Sequence, residues 1–332
     1  MTAEPDGTPQ STRRWILPLL VALAVGTAAF QPTVAPRAAA SVPPWTNSYY
    51  MVRAGATDAS RLGCVNANRT GRMTLFFGAP VPVAGQYGAT LWAAPDRTTS
   101  GIIATVQSFV RGYAYCRTNR SLRILVGVGT SNSAIDGKTS AWLAGHGHAW
   151  ASMVAALAAW ANHWYPGYAQ VLGAWDFEPS WSTFPKADAW LNAYSATSGR
   201  PLMFINASAD GCPTTAAVNG PCNNGWSQSR VWHLAWQHRT SIPMPQIYAT
   251  SGVNAHQWQL ISLWASTSGY GRMIFAGTMS QSGACAQAGA GACRGTNNTP
   301  QTADNFLRWW LNTDQRTFQT GANAMTDVRW FS

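Results

Sequence analysis

Apolar runs of strand length alternate along this chain with amphipathic stretches of helix length, and that alternation restricts the fold more than any other feature. "MTLFFGAP" is followed by "SGIIATVQSFVRGYAYC", and "LRILVGVGTS" by "HAWASMVAALAAWANHW". The series continues with "VLGAWDFEPSW", "KADAWLNAYSAT", "PLMFINASADG" and a helical turn at "WSQSR". "VWHLAW" and "MPQIYATSG" then read as strands, "NAHQWQLISLWASTSG" as a helix, and "RMIFAGTMS", "TADNFLRWWLNTD" and "DVRWF" complete the pattern. Such a rhythm builds a parallel sheet with helices outside it. About eight units in roughly 260 residues suit a closed (β/α)8 TIM-type barrel of the α/β class better than an open sheet. No Gly-x-Gly-x-x-Gly or phosphate loop follows the first strand, which disfavours a nucleotide-binding sheet.

The ends of the chain set the domain boundaries. Arg13 and Arg14 precede an apolar run from Trp15 to Phe30 that is short for a bilayer span and interrupted by Pro18. Residues 1–40 therefore read as a signal peptide, with "PRAAA" as the cleavage region, served by either the general secretory or the twin-arginine route. Residues 41–72 are then an entry segment and 73–332 a single barrel domain, with no stable membrane insertion once the leader is removed.

All six cysteines lie after residue 40, and an even count in an exported chain indicates disulfides rather than ligands. The short separations favour Cys212–Cys222 and Cys285–Cys293, which leaves Cys64 with Cys116. There is no Cys-x-x-Cys to suggest zinc or redox chemistry.

The chain carries a formal net charge of +10, or +9 without the first forty residues. Its arginines are scattered, with no basic run or recognition helix, so nucleic acid is not an expected partner. An anionic cell wall or acidic glycan fits an exported basic protein better.

If the strands close into a barrel, alternate side chains point inward and the chemistry sits at their C-terminal ends. Leu172, Ala174, Asp176 and Glu178 share one face that turns from apolar to acidic. Phe204, Asn206, Ser208 and Asp210 repeat that gradient, and Gln246, Tyr248 and Thr250 follow it. Of 34 charged residues only two are glutamate, Glu4 and Glu178. Codon bias accounts for scarce lysine but not for scarce glutamate, which singles out Glu178 for chemistry.

A Glu in a water-poor pocket beside another carboxylate stays protonated near neutral pH and can act as a general acid. Glycosidases pair such an acid with a second carboxylate. Asp176 and Asp210 are both candidates for that second group, and Asp210 is equally placed to stabilise the turn before Gly211. At i and i+2 of one strand, Asp176 and Glu178 lie about 6 to 7 Å apart at their β-carbons, a spacing that straddles retaining and inverting enzymes. Trp175, Trp181, Trp236 and Tyr248, at or near expected strand ends, offer flat faces for sugar rings, with Asn206 and Gln246 as polar contacts. His146 and His148 have no carboxylate at ligand spacing, so no metal is expected. No Gly-x-Ser-x-Gly elbow supports a serine hydrolase, and no cofactor is expected.

"GAWDFEPSW" resembles the strand-end Asp-x-Glu of barrel glycosidases, among them the family 25 lysozyme-type muramidases and the family 18 chitinases, and "VWHLAW" followed by "PQIYAT" is similar to late strands of the former. The resemblance implies that Glu178 is the general acid and Asp176 its partner. The further upstream aspartates of the chitinase motif are replaced here by apolar residues and Gly173, which disfavours substrate-assisted chemistry. With "INASADGC", "PQIYATSG" and "DVRWFS", residues 41–332 also resemble a group of uncharacterised secreted bacterial barrel proteins. The expectation is a secreted glycoside hydrolase acting on peptidoglycan or another polysaccharide. The alternatives are a lectin-like barrel that binds glycan without cleaving it, and a structural envelope protein.

Overall fold

The backbone of strands that forms the barrel begins earlier in the chain than the apolar runs indicate. The computed structural model describes residues 45–92, 95–199, 201–320 and 324–331, and the leader expected at 1–40 lies outside them. Among these residues the strands are β1 (Trp45–Met51), β2 (Gly71–Phe76), β3 (Ala79–Val83), β4 (Gln86–Thr90), β5 (Arg97–Thr98), β6 (Ile124–Ser131), β7 (Ala169–Asp176), β8 (Met203–Ile205), β9 (Ser241–Pro243), β10 (Gly277–Ser280) and β11 (Ala324–Phe331). The helices are α1 (Ala56–Val65), α2 (Thr99–Cys116), α3 (Ser140–Trp164), α4 (Phe184–Ala196), α5 (Gln228–Trp232), α6 (Val253–Thr267), α7 (Ser282–Ala288) and α8 (Pro300–Leu311).

Eight strands pair in parallel in the order β10-β11-β1-β2-β6-β7-β8-β9. A parallel bridge between Gln246 and Met279 joins the two edges, so the sheet is a nearly closed (β/α)8 barrel. The seam is thin for a chemical reason. Pro243, Pro245 and Ile247 are the residues that face β10: the carbonyls of Pro243 and Pro245 accept from Ala276 N and Met279 N, and Ile247 N donates to Met279 O. Proline has no N–H to return, so two ladder bonds are missing there. Residues 42–332 form one compact unit, and no described helix is long and apolar enough to cross a membrane.

Two expectations about individual strands are corrected, and they offset one another in the count. The segment 41–72 is not merely an entry: it supplies β1 and α1, and the barrel starts at Trp45. "VWHLAW" is not a strand: it runs through α5 into a π-helical turn, His233–Gln237, with Val231, Leu234 and Ala235 buried on one side. A short aromatic and aliphatic run cannot be assigned by periodicity alone. The β3–β4–β5 antiparallel insert after β2 is an addition that the alternation does not reveal.

Inward and outward faces alternate as a barrel requires. Leu172, Ala174, Phe204 and Met244 cluster inside, with Leu125, Ile242 and Ala276 packed against them. The neighbouring β6 positions are glycine because this interior is crowded: a β-carbon on Gly127 would lie 2.9 Å from Ala174 Cβ and 3.0 Å from the Phe204 ring. Outside, Trp175 stacks on Trp190 at 4.8 Å between the barrel and α4. Buried His146 joins three elements: it lies 2.9 Å from Gly88 O through Nε2 and accepts from Trp190 Nε1 at 2.8 Å through Nδ1. That leaves neither ring nitrogen for a metal, and burial lowers its pKa to about 4. All three disulfides pair as the cysteine spacing indicates.

Candidate active site

The C-terminal mouth of the barrel gathers the residues whose polarity rises toward the strand ends. Asp176 ends β7, fully buried, and Glu178 follows two residues later on the same face, half-buried. Between them Phe177 points the other way and stacks on Trp226 at 5.6 Å, which anchors the turn from outside. Gln246 Nε2 donates to Asp176 Oδ1 at 2.6 Å and to Asn206 O at 3.2 Å. Asn206 in turn accepts from Thr74 Oγ1 at 3.1 Å and donates to Met244 O at 3.3 Å. Asp176, Asn206 and Gln246 are thus held as one network across β2, β7, β8 and the extension of β9.

Asp210 completes a group of three carboxyls. It interacts with both Asp176 and Glu178, and its main chain is fixed by Asn223 N, which donates to Asp210 O at 3.0 Å. The Cys212–Cys222 disulfide closes the loop immediately after it. That loop is tied to the β7 exit as well, since Asn223 Nδ2 donates to Ser180 Oγ at 2.8 Å and Asn224 Nδ2 to Pro179 O at 2.8 Å. Asp210 therefore holds a turn and faces the cluster at once.

Electrostatics follow from this crowding. Burial, then the charges of Asp176 and Asp210, push the Glu178 carboxyl up to about 9. Burial, then Asp210, holds Asp176 well above the ordinary carboxylate range, against the Gln246 donor that favours its charged form. Crowded carboxyls disfavour one another's charged forms, so Asp176 and Glu178 are both raised. Tyr50, at the end of β1, has its hydroxyl raised first by burial and then by Asp176. Tyr248 is raised by burial and then by Tyr50. The Tyr50 and Tyr248 hydroxyls interact with one another, and buried Ser208 Oγ lacks a partner among the described residues.

Of the residues expected from sequence, Glu178, Asp176, Asp210, Asn206, Gln246 and Tyr248 come together. Trp181 lies half-buried on the loop that carries Glu178, its N–H donating to Glu178 O at 3.0 Å. Trp175 and Trp236 do not belong to the mouth. Alternation on β7 turns Trp175 outward into the helix layer, where it is 1% exposed. Trp236 sits in the π-helical turn and packs on the main core.

The aromatic surface lies elsewhere. Tyr50, Trp92 and Trp330 form a cluster with ring centroids 4.8 to 5.9 Å apart. Its signals were the "SYY" of β1 and the "RWF" at the chain end, each on a strand whose inward face is only recognisable once the barrel closes. Asn132, just beyond β6, was also missed. It sits where "GTSN" turns polar at a strand end, the same signal that marked the other strands.

Comparison with known proteins gives a general likeness and no family. No family model matches the chain, and no curated protein matches it in sequence. Among solved structures, the apo form of the homocysteine methyltransferase MmuM from Escherichia coli aligns over 82% of this chain and 79% of its own, with 10% identity and a TM-score of 0.44. A glycoside hydrolase family 5 protein from Bacteroides vulgatus aligns over 68% of this chain and 56% of its own, with 9% identity and a TM-score of 0.32. Likenesses this distant carry no argument about activity, so the site has to be read from its own residues.

Proposed function

We propose that this protein is a secreted glycoside hydrolase acting on cell-wall or other polysaccharide, with Glu178 as the general acid. The observation that carries the reading is the convergence of the Glu178, Asp176 and Asp210 carboxyls beyond the C-terminal ends of the strands, where burial and then its two neighbours push the Glu178 pKa up to about 9. A carboxyl in that state can give its proton to a glycosidic oxygen as the C–O bond breaks. Asp176 is fully buried with one oxygen engaged by Gln246, so its role is electrostatic support. Asp210, half-buried in the turn that follows β8, is the second carboxylate, either attacking the anomeric carbon or activating water. Trp181, with the Tyr50, Trp92 and Trp330 cluster, offers apolar faces on which rings can stack.

Export through a leader at residues 1–40 accords with three disulfides, which persist in oxidising compartments. The excess of arginine favours an anionic wall or glycan as surroundings. The test is reducing-end release from peptidoglycan and a panel of polysaccharides by wild type and folded Glu178→Gln and Asp176→Asn variants. Release by wild type that is abolished in Glu178→Gln supports the reading. Binding of one glycan by all three proteins without release would replace it with a lectin-like barrel.

A further inference from the structure

In the helix layer, away from the carboxyl cluster, three ligand-type atoms converge without any part in the chemistry above. Asp188 lies on α4, His233 opens the π-helical turn, and His238 follows that turn. His233 Nε2 is 2.9 Å from Asp188 Oδ1 and 3.4 Å from His238 Nε2, and the three atoms all lie within 4.8 Å of one another. We propose that Asp188, His233 and His238 form a binding site for a divalent transition metal of the zinc class.

The hydrogen-bonding geometry argues for a cation. His233 Nδ1 stands 2.6 Å from Gln237 Oε1, an acceptor, so Nδ1 carries a proton. Its Nε2 then faces a carboxylate oxygen on one side and an imidazole nitrogen on the other. A proton there serves Asp188 at 2.9 Å and leaves His238 Nε2 at 3.4 Å, near the limit of a hydrogen bond, whereas a metal ion engages all three ligands together. The Gln237 contact is the arrangement that orients a metal-binding imidazole, with the far nitrogen tied to a fixed acceptor.

The spacing also suits a tetrahedral ion. Ligands at about 2.0 to 2.1 Å from zinc are about 3.3 to 3.4 Å from one another. The pair of imidazole nitrogens already has that separation; the Asp188 carboxylate, 2.9 Å from His233 Nε2 and within 4.8 Å of His238 Nε2, has to swing away from the first and toward the second. Two imidazoles and one carboxylate favour zinc, copper or nickel over calcium or magnesium.

The fourth position has room. His233 and His238 line a surface cleft of about 290 Å³ with Ser195, Gln237, Arg239 and Thr240, and the His233 and Asp188 side chains are 31% and 27% exposed. An ion can therefore enter and keep a water or an external ligand. Because α4 follows β7 and the π-helical turn precedes β9, the ion would clip together the two helical segments that flank β8 on the outside of the barrel.

The test uses purified protein stripped with a chelator, titrated with Zn2+ by calorimetry and with Co2+ as an optical probe. The expected result is one saturable site per chain, a tetrahedral Co2+ absorption band and a higher Tm with zinc. Asp188→Asn and His238→Gln should each weaken binding about 100-fold or more, while His256→Gln, remote in sequence and stacked on Trp310, should leave it unchanged. Absence of saturable binding in wild type overturns the proposal without reference to any variant. So does binding that survives in both Asp188→Asn and His238→Gln.

Discussion

Asn132 grips Glu178 by its main chain from both sides. Its Oδ1 accepts from Glu178 N at 2.9 Å, and its Nδ2 donates to Glu178 O at 3.0 Å and to Ser182 Oγ at 2.7 Å. A fully buried amide just beyond β6 thus sets the position of a carboxyl just beyond β7, and Asn132 N completes the contact by donating to Asp176 O at 3.1 Å.

Removing that grip should disturb the site before it disturbs the fold. Asn132→Ala leaves two main-chain groups of Glu178 to find new partners, at a cost of about 1–3 kcal/mol in stability. Displacement of the acid should lower kcat by about 100-fold. Urea unfolding measures the first and initial rates on the responding polysaccharide the second. Asn132→Asp keeps the acceptor but loses the donor, and is expected to fall between Asn132→Ala and wild type.

Glu178 should make the protein less stable as the solution becomes more alkaline. Its pKa is raised in the folded state from 4.5 to about 9, so between those values the folded chain binds more protons than the unfolded one. Unfolding free energy therefore falls with rising pH across that window. His146, lowered from 6.5 to about 4, has the opposite slope below pH 6.5, so pH 7 to 9 is the clean range. There the stability of wild type relative to Glu178→Gln should decline steadily in urea titrations. Parallel curves for the two proteins would show that the carboxyl is not held protonated.

Loss of the Cys212–Cys222 bond should reach the site through Asp210. Replacing both cysteines with serine opens a loop of sequence separation 10 and should cost about 2–3 kcal/mol. Activity should fall further than stability explains, because the same loop positions Asp210 and braces the β7 exit. Comparing rates well below the variant's Tm separates the two effects.

Trp92 is the most accessible member of the mouth's aromatic cluster, at 36% exposure. Trp92→Ala should weaken polysaccharide binding about tenfold, roughly 1.4 kcal/mol. Under the proposed function it should raise KM with little change in kcat, the result expected of a ring that binds substrate away from the bond that breaks. An unchanged KM would remove the cluster from the binding surface.

How much of this was legible in the sequence differs from residue to residue. The polar ends of β7, β8 and β9 were, because side-chain alternation in a strand is local and Asp176, Glu178, Asn206 and Gln246 follow it. The same alternation, applied strictly, turns Trp175 outward, so its position could have been anticipated. β1 was not legible: its inward residues Thr46 and Ser48 bond to Thr326 Oγ1 at 3.1 and 2.7 Å, and a strand that buries hydroxyls lacks the apolar signal. "VWHLAW" carried that signal and is helical, because Val231, Leu234 and Ala235 pack together only with helical spacing.

The sequence by itself determined the class of fold and the disulfide pairing, and it singled out Glu178 as the acid of the proposed function. Those depend on local periodicity, on cysteine separation and on one rare residue type. Tertiary structure decided which aromatic rings reach the mouth, that Asn132 positions Glu178, and that Asp188 meets His233 and His238. These are contacts between residues 42 positions apart or more, in segments that only barrel closure brings together, and no pattern within a single element specifies them.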